Sequence, residues 1–185
     1  MEIISDDLKY LIKDYTIFKP KIKKEIEEAV DLWIKCEGYA LDLYNHISLW
    51  DTSLITDMSY LFQDREDFNE NINNWNVSKV TTMEGMFLGA ERFNQPLDLW
   101  DVSSVTNMWH MFENTHNFNQ NISSWDVSSV TTMSHMFSGS SFEQNIDSWD
   151  VSSVTNMYFM FLGCSSEYYE NNLEWYVTSP YKCEY

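Results

Sequence analysis

A tryptophan returns along this chain at Trp50, Trp75, Trp100, Trp125, Trp149 and Trp175, at spacings of 25, 25, 25, 24 and 26 residues. Counting each Trp as position 1, other columns recur in step with it. Position 3 is Val77, Val102, Val127, Val151 and Val177, and position 6 is Ile55, Val80, Val105, Val130 and Val154. Position 9 is Met58, Met83, Met108, Met133 and Met157; position 12 is Leu61, Met86, Met111, Met136 and Met160. Position 13 is always Phe (Phe62, Phe87, Phe112, Phe137, Phe161), and position 19 is Phe68, Phe93 and Phe118, with Phe142 one residue early. Ile72, Leu97, Ile122 and Ile146 each stand three residues before the next Trp. Self-similarity at a period of about 20–50 residues specifies stacked units, each burying its apolar face only against its neighbours.

Within a unit the apolar spacing changes. Trp-x-Val alternates with a period of two, which predicts a short strand. Positions 6, 9, 12 and 13 follow one face of a helix or 3₁₀ segment, with Ser pairs such as Ser128-Ser129 placed to cap it. Polar, Gly/Ser-bearing stretches such as Ser138-Gly139-Ser140-Ser141 read as return loops. Strand, helical turn, loop and strand make one coil of a parallel-stranded α/β solenoid. A propeller blade needs about 40 residues or more, so this period excludes propellers.

The stretch Trp-Asp-Val-Ser-Ser-Val-Thr-Asn-Met, at 100–108 and again at 149–157, with a downstream Met-Phe and Phe-Asn-Gln-Asn-Ile at 118–122, resembles the BspA-like leucine-rich-repeat proteins. Ile-x-x-Trp-x-Val matches the Leu-x-x-Leu-x-Leu core of such repeats over about residues 47–177. The resemblance implies a leucine-rich-repeat-like right-handed solenoid, with short parallel strands on one face and helical turns on the other. Phe18-Lys19-Pro20-Lys21, then Lys24 to Trp33, then His46-Ile47-Ser48-Leu49-Trp50-Asp51 resembles the cap preceding such repeats in giant DNA viruses and some algae. The residues agree with a cap: Pro20 suits a helix start, and Ile22, Ile26, Ala29, Val30 and Trp33 form one apolar stripe. The first 15 residues add a candidate short helix with Leu8, Leu11 and Ile12. The chain divides into a helical N-terminal cap over 1–46, a five-coil repeat solenoid over 47–174 and a truncated C-terminal cap over 175–185.

Charge narrows the partner class. The chain carries 29 Asp and Glu against 11 Lys and Arg, a formal charge of −18. Residues 1–49 account for −3 of this and residues 50–185 for −15, with no Lys or Arg from Phe93 to Tyr181. Such a field repels nucleic acid and anionic membrane surfaces and steers basic ligands. The N-terminus lacks the basic and apolar regions of a signal peptide and no apolar run spans a bilayer, so an intracellular protein, in host cytoplasm or virion, is expected. Cys36, Cys164 and Cys183 are widely spaced and odd in number, which argues for free thiols rather than a disulfide or zinc framework.

One exposed column could carry function. Position 2, flanking the Trp on the concave sheet side, is Asp51, Asn76, Asp101, Asp126 and Asp150, ending in Tyr176. Strands about 4.8 Å apart would stack these carboxylates and raise their pKa values. The column reads either as an acidic strip for a basic partner or as a set of acceptors serving the turn. Calcium is disfavoured, since it takes about six to eight oxygen ligands and usually a Gly-bearing loop that does not recur here. His110 and His135, both at position 11, read as adjacent surface histidines rather than a metal site. The Met columns read as gap-filling core, and Asn69, Asn94 and Asn119 as an internal amide ladder. No phosphate loop or nucleophile–base pair is present in the sequence. The expectation is a non-catalytic, monomeric protein-interaction module without metal or cofactor, binding a basic protein partner. The alternative is a structural or virion-associated scaffold protein assembling through its ends.

Overall fold

The apolar spacing of the segment after Pro20 builds a helix that needs a partner for one face. In the computed structural model, which describes residues 17–164, 174–177 and 180, α1 runs Lys23–Lys35 and buries Ile26, Ala29, Val30 and Trp33. Ile22 is not on that stripe: it is the N-cap residue and 58% exposed. α2 follows over Glu37–Tyr44, then a 3₁₀ turn over Ile47–Leu49 opened by His46, whose ring accepts the Ser48 N–H. A last short helix, α3, is Glu174–Val177. The candidate helix at Leu8, Leu11 and Ile12 lies outside the described residues, as do Cys183 and most of the predicted C-terminal cap.

The repeats overturn the α/β expectation. Among the described residues there is no β-strand and no sheet, so the parallel-strand solenoid of leucine-rich-repeat type is not what forms. Ile-x-x-Trp closes a turn instead: the Trp75, Trp100, Trp125 and Trp149 N–H groups donate to the carbonyls of Ile72, Leu97, Ile122 and Ile146 at 3.0–3.2 Å. Val-x-x-Val closes another, as in Val80 N–H to Val77 carbonyl at 2.8 Å and Val130 to Val127 at 2.9 Å. An apolar spacing of three thus marks successive turns. Parallel pairing is confined to one residue per repeat, five positions beyond the predicted strand, through bridges linking Asp57, Thr82, Asn107, Thr132 and Asn156 in order.

The predicted helical segment is also made of turns. Position 11 (Tyr60, Gly85, His110, His135, Phe159) and position 15 (Asp64, Gly89, Asn114, Gly139, Gly163) all have φ between +55° and +74°. An α-helix requires consecutive right-handed residues, so a left-handed one at every fourth position forbids it. Alternate N–H groups then point in two directions. Those at positions 12 and 14 bond back within the repeat, as in Met86 to Met83 and Leu88 to Gly85, both 3.1 Å. Those at positions 9, 11, 13 and 15 donate to the following repeat: Met83 to Asn107, Gly85 to Trp109, Phe87 to Met111 and Gly89 to Glu113, at 2.7–2.9 Å. The same four rungs join each successive pair from Met58 to Gly139. Backbone donors that would be costly if buried unpaired are satisfied without regular secondary structure.

The core is a set of ladders. Trp rings stack at 6.0 Å (Trp50–Trp75), 6.4 Å (Trp100–Trp125) and 6.5 Å (Trp125–Trp149). Position-13 Phe rings stack at 5.4–5.8 Å between repeats and lie 4.0–4.1 Å from the second Phe of their own repeat. The indole N–H groups of Trp50, Trp75, Trp100, Trp125 and Trp149 each donate to a carbonyl of an earlier turn, as in Trp125 to Leu97 at 3.0 Å, whereas the buried Trp175 Nε1 has no partner among the described residues. Asn69, Asn94 and Asn119 each accept the backbone N–H one repeat onward through Oδ1, at 2.9–3.0 Å. Phe18, Trp33 and Tyr44 meet Trp50 edge-on at 5.2–6.2 Å and so cover the first rung. Lys19–Asp51 (2.7 Å), Lys23–Asp57 (3.1 Å) and Arg65–Asp31 tie the N-terminal segment down.

Candidate interaction surface

In the Asp column, the side chain at position 2 opens the turn from position 3 to position 6. Asp51, Asn76, Asp101, Asp126 and Asp150 each accept, through Oδ1, the backbone N–H of the Ser two residues on, at 3.0–3.2 Å. The Ser hydroxyl adds a second bond to Asn76 (2.7 Å), Asp101 (2.6 Å) and Asp126 (2.6 Å). Here Asp supplies the acceptor and Ser the donor, which is the Asx turn that this residue type favours. Asn76 makes the same bonds without charge, so acceptor geometry alone sets the turn. Asn76, Asp101, Asp126 and Asp150 remain exposed, and Asp51 is partly covered.

The expected mutual raising of pKa is reversed. Hydroxyl and backbone bonds from Ser128 and Ser152 hold Asp126 and Asp150 below the ordinary carboxylate range. The Asp150 charge pushes Asp126 the other way, but it ranks last among the causes. Asp51 falls to about 2, first through its bond from Lys19 and then through Ser53. Asp51, Asp126 and Asp150 are therefore ionised at neutral pH. Tyr176 does not extend it: it sits in α3, partly buried, with its ring edge-on to Phe161 at 5.0 Å.

The position-11 histidines are brought together. His110 and His135 stack at 4.7 Å; His110 Nδ1 bonds Glu113, and Ser134 Oγ lies 2.9 Å from His135 Nδ1. Burial lowers the His135 pKa, the neighbouring His110 lowers it further, and Glu113 opposes both. Among the described residues no three His, Cys, Asp or Glu side chains are placed to hold a metal ion. Cys164 is a buried thiol donating to the Phe137 carbonyl at 2.8 Å, with burial pushing its pKa up. No helix among the described residues is long and apolar enough to cross a membrane.

Two features escaped the sequence reading. Trp109 and Tyr158 stand exposed at position 10, beside the histidines. That column is irregular in sequence (Ser59, Glu84, Trp109, Ser134, Tyr158), and irregularity amid constant columns is the signal that could have drawn attention to it. The other is a groove of about 420 Å³ between α1 and the first repeat, lined by Trp33, Phe68, Asp64, Glu66, Asp67 and Glu70. It depends on how α1 meets the repeats, which no local pattern encodes.

Comparison with known proteins gives one family. Residues 30–139 and 96–184 each match a family model described as "Mycoplasma protein of unknown function, DUF285". Neither a curated protein nor a solved structure matches.

Proposed function

From the premise that this chain belongs to the DUF285 repeat family, we propose that it is a non-catalytic interaction module that binds a basic protein partner through its acidic repeat surface. The carrying observation is one of charge. Residues 93–164 hold seven carboxylates and no Lys or Arg, and the Asp101, Asp126 and Asp150 members of that set are exposed. Their Ser partners favour the charged form of Asp126 and Asp150. A regular array of carboxylates with no basic residue among them favours encounter with an oppositely charged surface and gives a salt-dependent association rate. The BspA-like resemblance supports the same reading, since members of that family are implicated in attachment and protein contacts. The alternative, a virion-associated scaffold joined end to end and suggested by the viral resemblance of the cap, draws less support, because Phe18, Trp33 and Tyr44 already cover the first rung.

The test compares capture of basic proteins by the wild type and by the D101N/D126N/D150N variant, at low and high salt. Asn76 indicates that Asn keeps the turn, so the variant is expected to hold its melting temperature while losing most low-salt capture. Capture that is indifferent both to salt and to the three substitutions contradicts the proposal. An Ala triple variant, which removes the acceptors as well, is expected to melt at lower temperature.

A further inference from the structure

The repeats leave few large apolar side chains in water, and most of these share a face. Tyr60, Trp109, Tyr158 and Leu162 are exposed at positions 10, 11 and 14; Leu54 and Leu99 are exposed elsewhere. Trp109 (40% exposed) and Tyr158 (44%) sit in one column two repeats apart, and Ser134 between them is 4% exposed. Beside that column the rings run on without a break: Trp109 to His110 at 4.4 Å, His110 to His135 at 4.7 Å, and His135 to Phe159 at 5.2 Å.

These rings do not serve the core, whose Trp, Met and Phe ladders are complete beneath them. Their backbone is also costly, because His110, His135 and Phe159 hold left-handed φ of 56–58° where Gly85 does so freely. The rings are held in place from several directions. His110 and His135 N–H groups donate to the next repeat at 3.0 and 2.9 Å, while Glu113 and Ser134 fix the imidazoles. Glu84 flanks the same face, accepting from Tyr60 Oη and from Asn107 Nδ2 at 2.9 Å. The surface therefore presents rigid aromatic faces beside carboxylates, in a stretch with no Lys or Arg from 93 to 164.

Aromatic faces next to carboxylates suit a guanidinium, whose weakly hydrated plane stacks on a ring while its rigid N–H fork reaches an acid; an ammonium, a compact and strongly hydrated point charge, gains less from the same surface. We infer that the ridge formed by Trp109, His110, His135 and Tyr158, flanked by Glu84 and Glu113, docks an arginine-bearing peptide segment of a basic partner. This rests on the proposed function and names its specificity surface. The Asp column gives long-range attraction that reads charge, and the ridge distinguishes arginine from lysine.

The test uses the full chain and two labelled probes of equal charge, an octa-arginine and an octa-lysine peptide, followed by fluorescence anisotropy at low salt. The wild type is expected to bind octa-arginine about tenfold tighter. W109A/Y158A should bring octa-arginine down to the octa-lysine level. W109L, which keeps apolar bulk without the ring, should lose several-fold, with unchanged melting in both variants as the control for folding. D101N/D126N/D150N should weaken both probes alike and preserve their ratio. Equal affinity for the two probes, or an arginine preference that survives W109A/Y158A in a folded protein, overturns the ridge while leaving the acidic module intact. Failure of the wild type to bind either probe overturns both.

Discussion

An alanine at Gly139 would have to hold φ at +68° with its Cβ pressed onto the Asn114 carboxamide one repeat earlier. Gly89 is in the same position, with an added Cβ 2.6 Å from Asp64 Oδ1. A left-handed L-residue costs about 1–2 kcal/mol, so Gly139→Ala is expected to destabilise by at least about that much in a denaturant titration. Gly38, inside α2, has nothing within 4 Å of an added Cβ and no left-handed φ. There the same substitution removes a glycine from the first turn of a helix and should stabilise by up to about 0.5 kcal/mol. Equal effects at the two sites would contradict the backbone geometry described for position 15. That geometry was partly visible in the sequence, because Asp64, Gly89, Asn114, Gly139 and Gly163 are the residue types that tolerate left-handed φ. Position 11 was less so: Gly85 and the two histidines tolerate it, but Tyr60 and Phe159 give no such hint, and it is the inter-repeat rungs that hold Tyr60, His110 and His135 there.

At the scale of the repeat, core membership could be read directly: the Trp, Met and position-13 Phe columns are buried from one end of the described repeats to the other. Secondary structure could not. Trp-x-Val looks like strand alternation, but the turn before it and the Asx turn after it take the hydrogen bonds that a strand would need. The proposed interaction face was only half legible. The Asp column was found from its recurrence, whereas the Trp109–Tyr158 ridge breaks the pattern and emerges only when the repeats are stacked. Stacking also sets how a defect is felt, since each ladder member rests on neighbours alone. Phe112 lies between Phe87 (5.4 Å) and Phe137 (5.8 Å), so Phe112→Ala opens a gap that neither neighbour can close. It should cost about 3–5 kcal/mol. Leu at the same site, which keeps bulk without stacking, should recover most of the loss; an Ala variant melting like the wild type would show that the rings do not carry the core.

Among the described residues the molecule has little helix and no strand, yet each repeat is hydrogen-bonded to the next. Its order comes from the bonding of every second N–H from position 9 to position 15 to the following repeat, and the proposed interaction surfaces depend on that order. Amide hydrogen exchange tests this most directly. The amides of Met83, Gly85, Phe87 and Gly89, of Met108, His110, Phe112 and Asn114, and of Met133, His135, Phe137 and Gly139 should be protected together. They should open as one cooperative group, with the exposed Asp101 and Asp126 amides exchanging early. Protection confined to α1 and α2, with the repeat amides exchanging at the rate of isolated turns, would contradict the account.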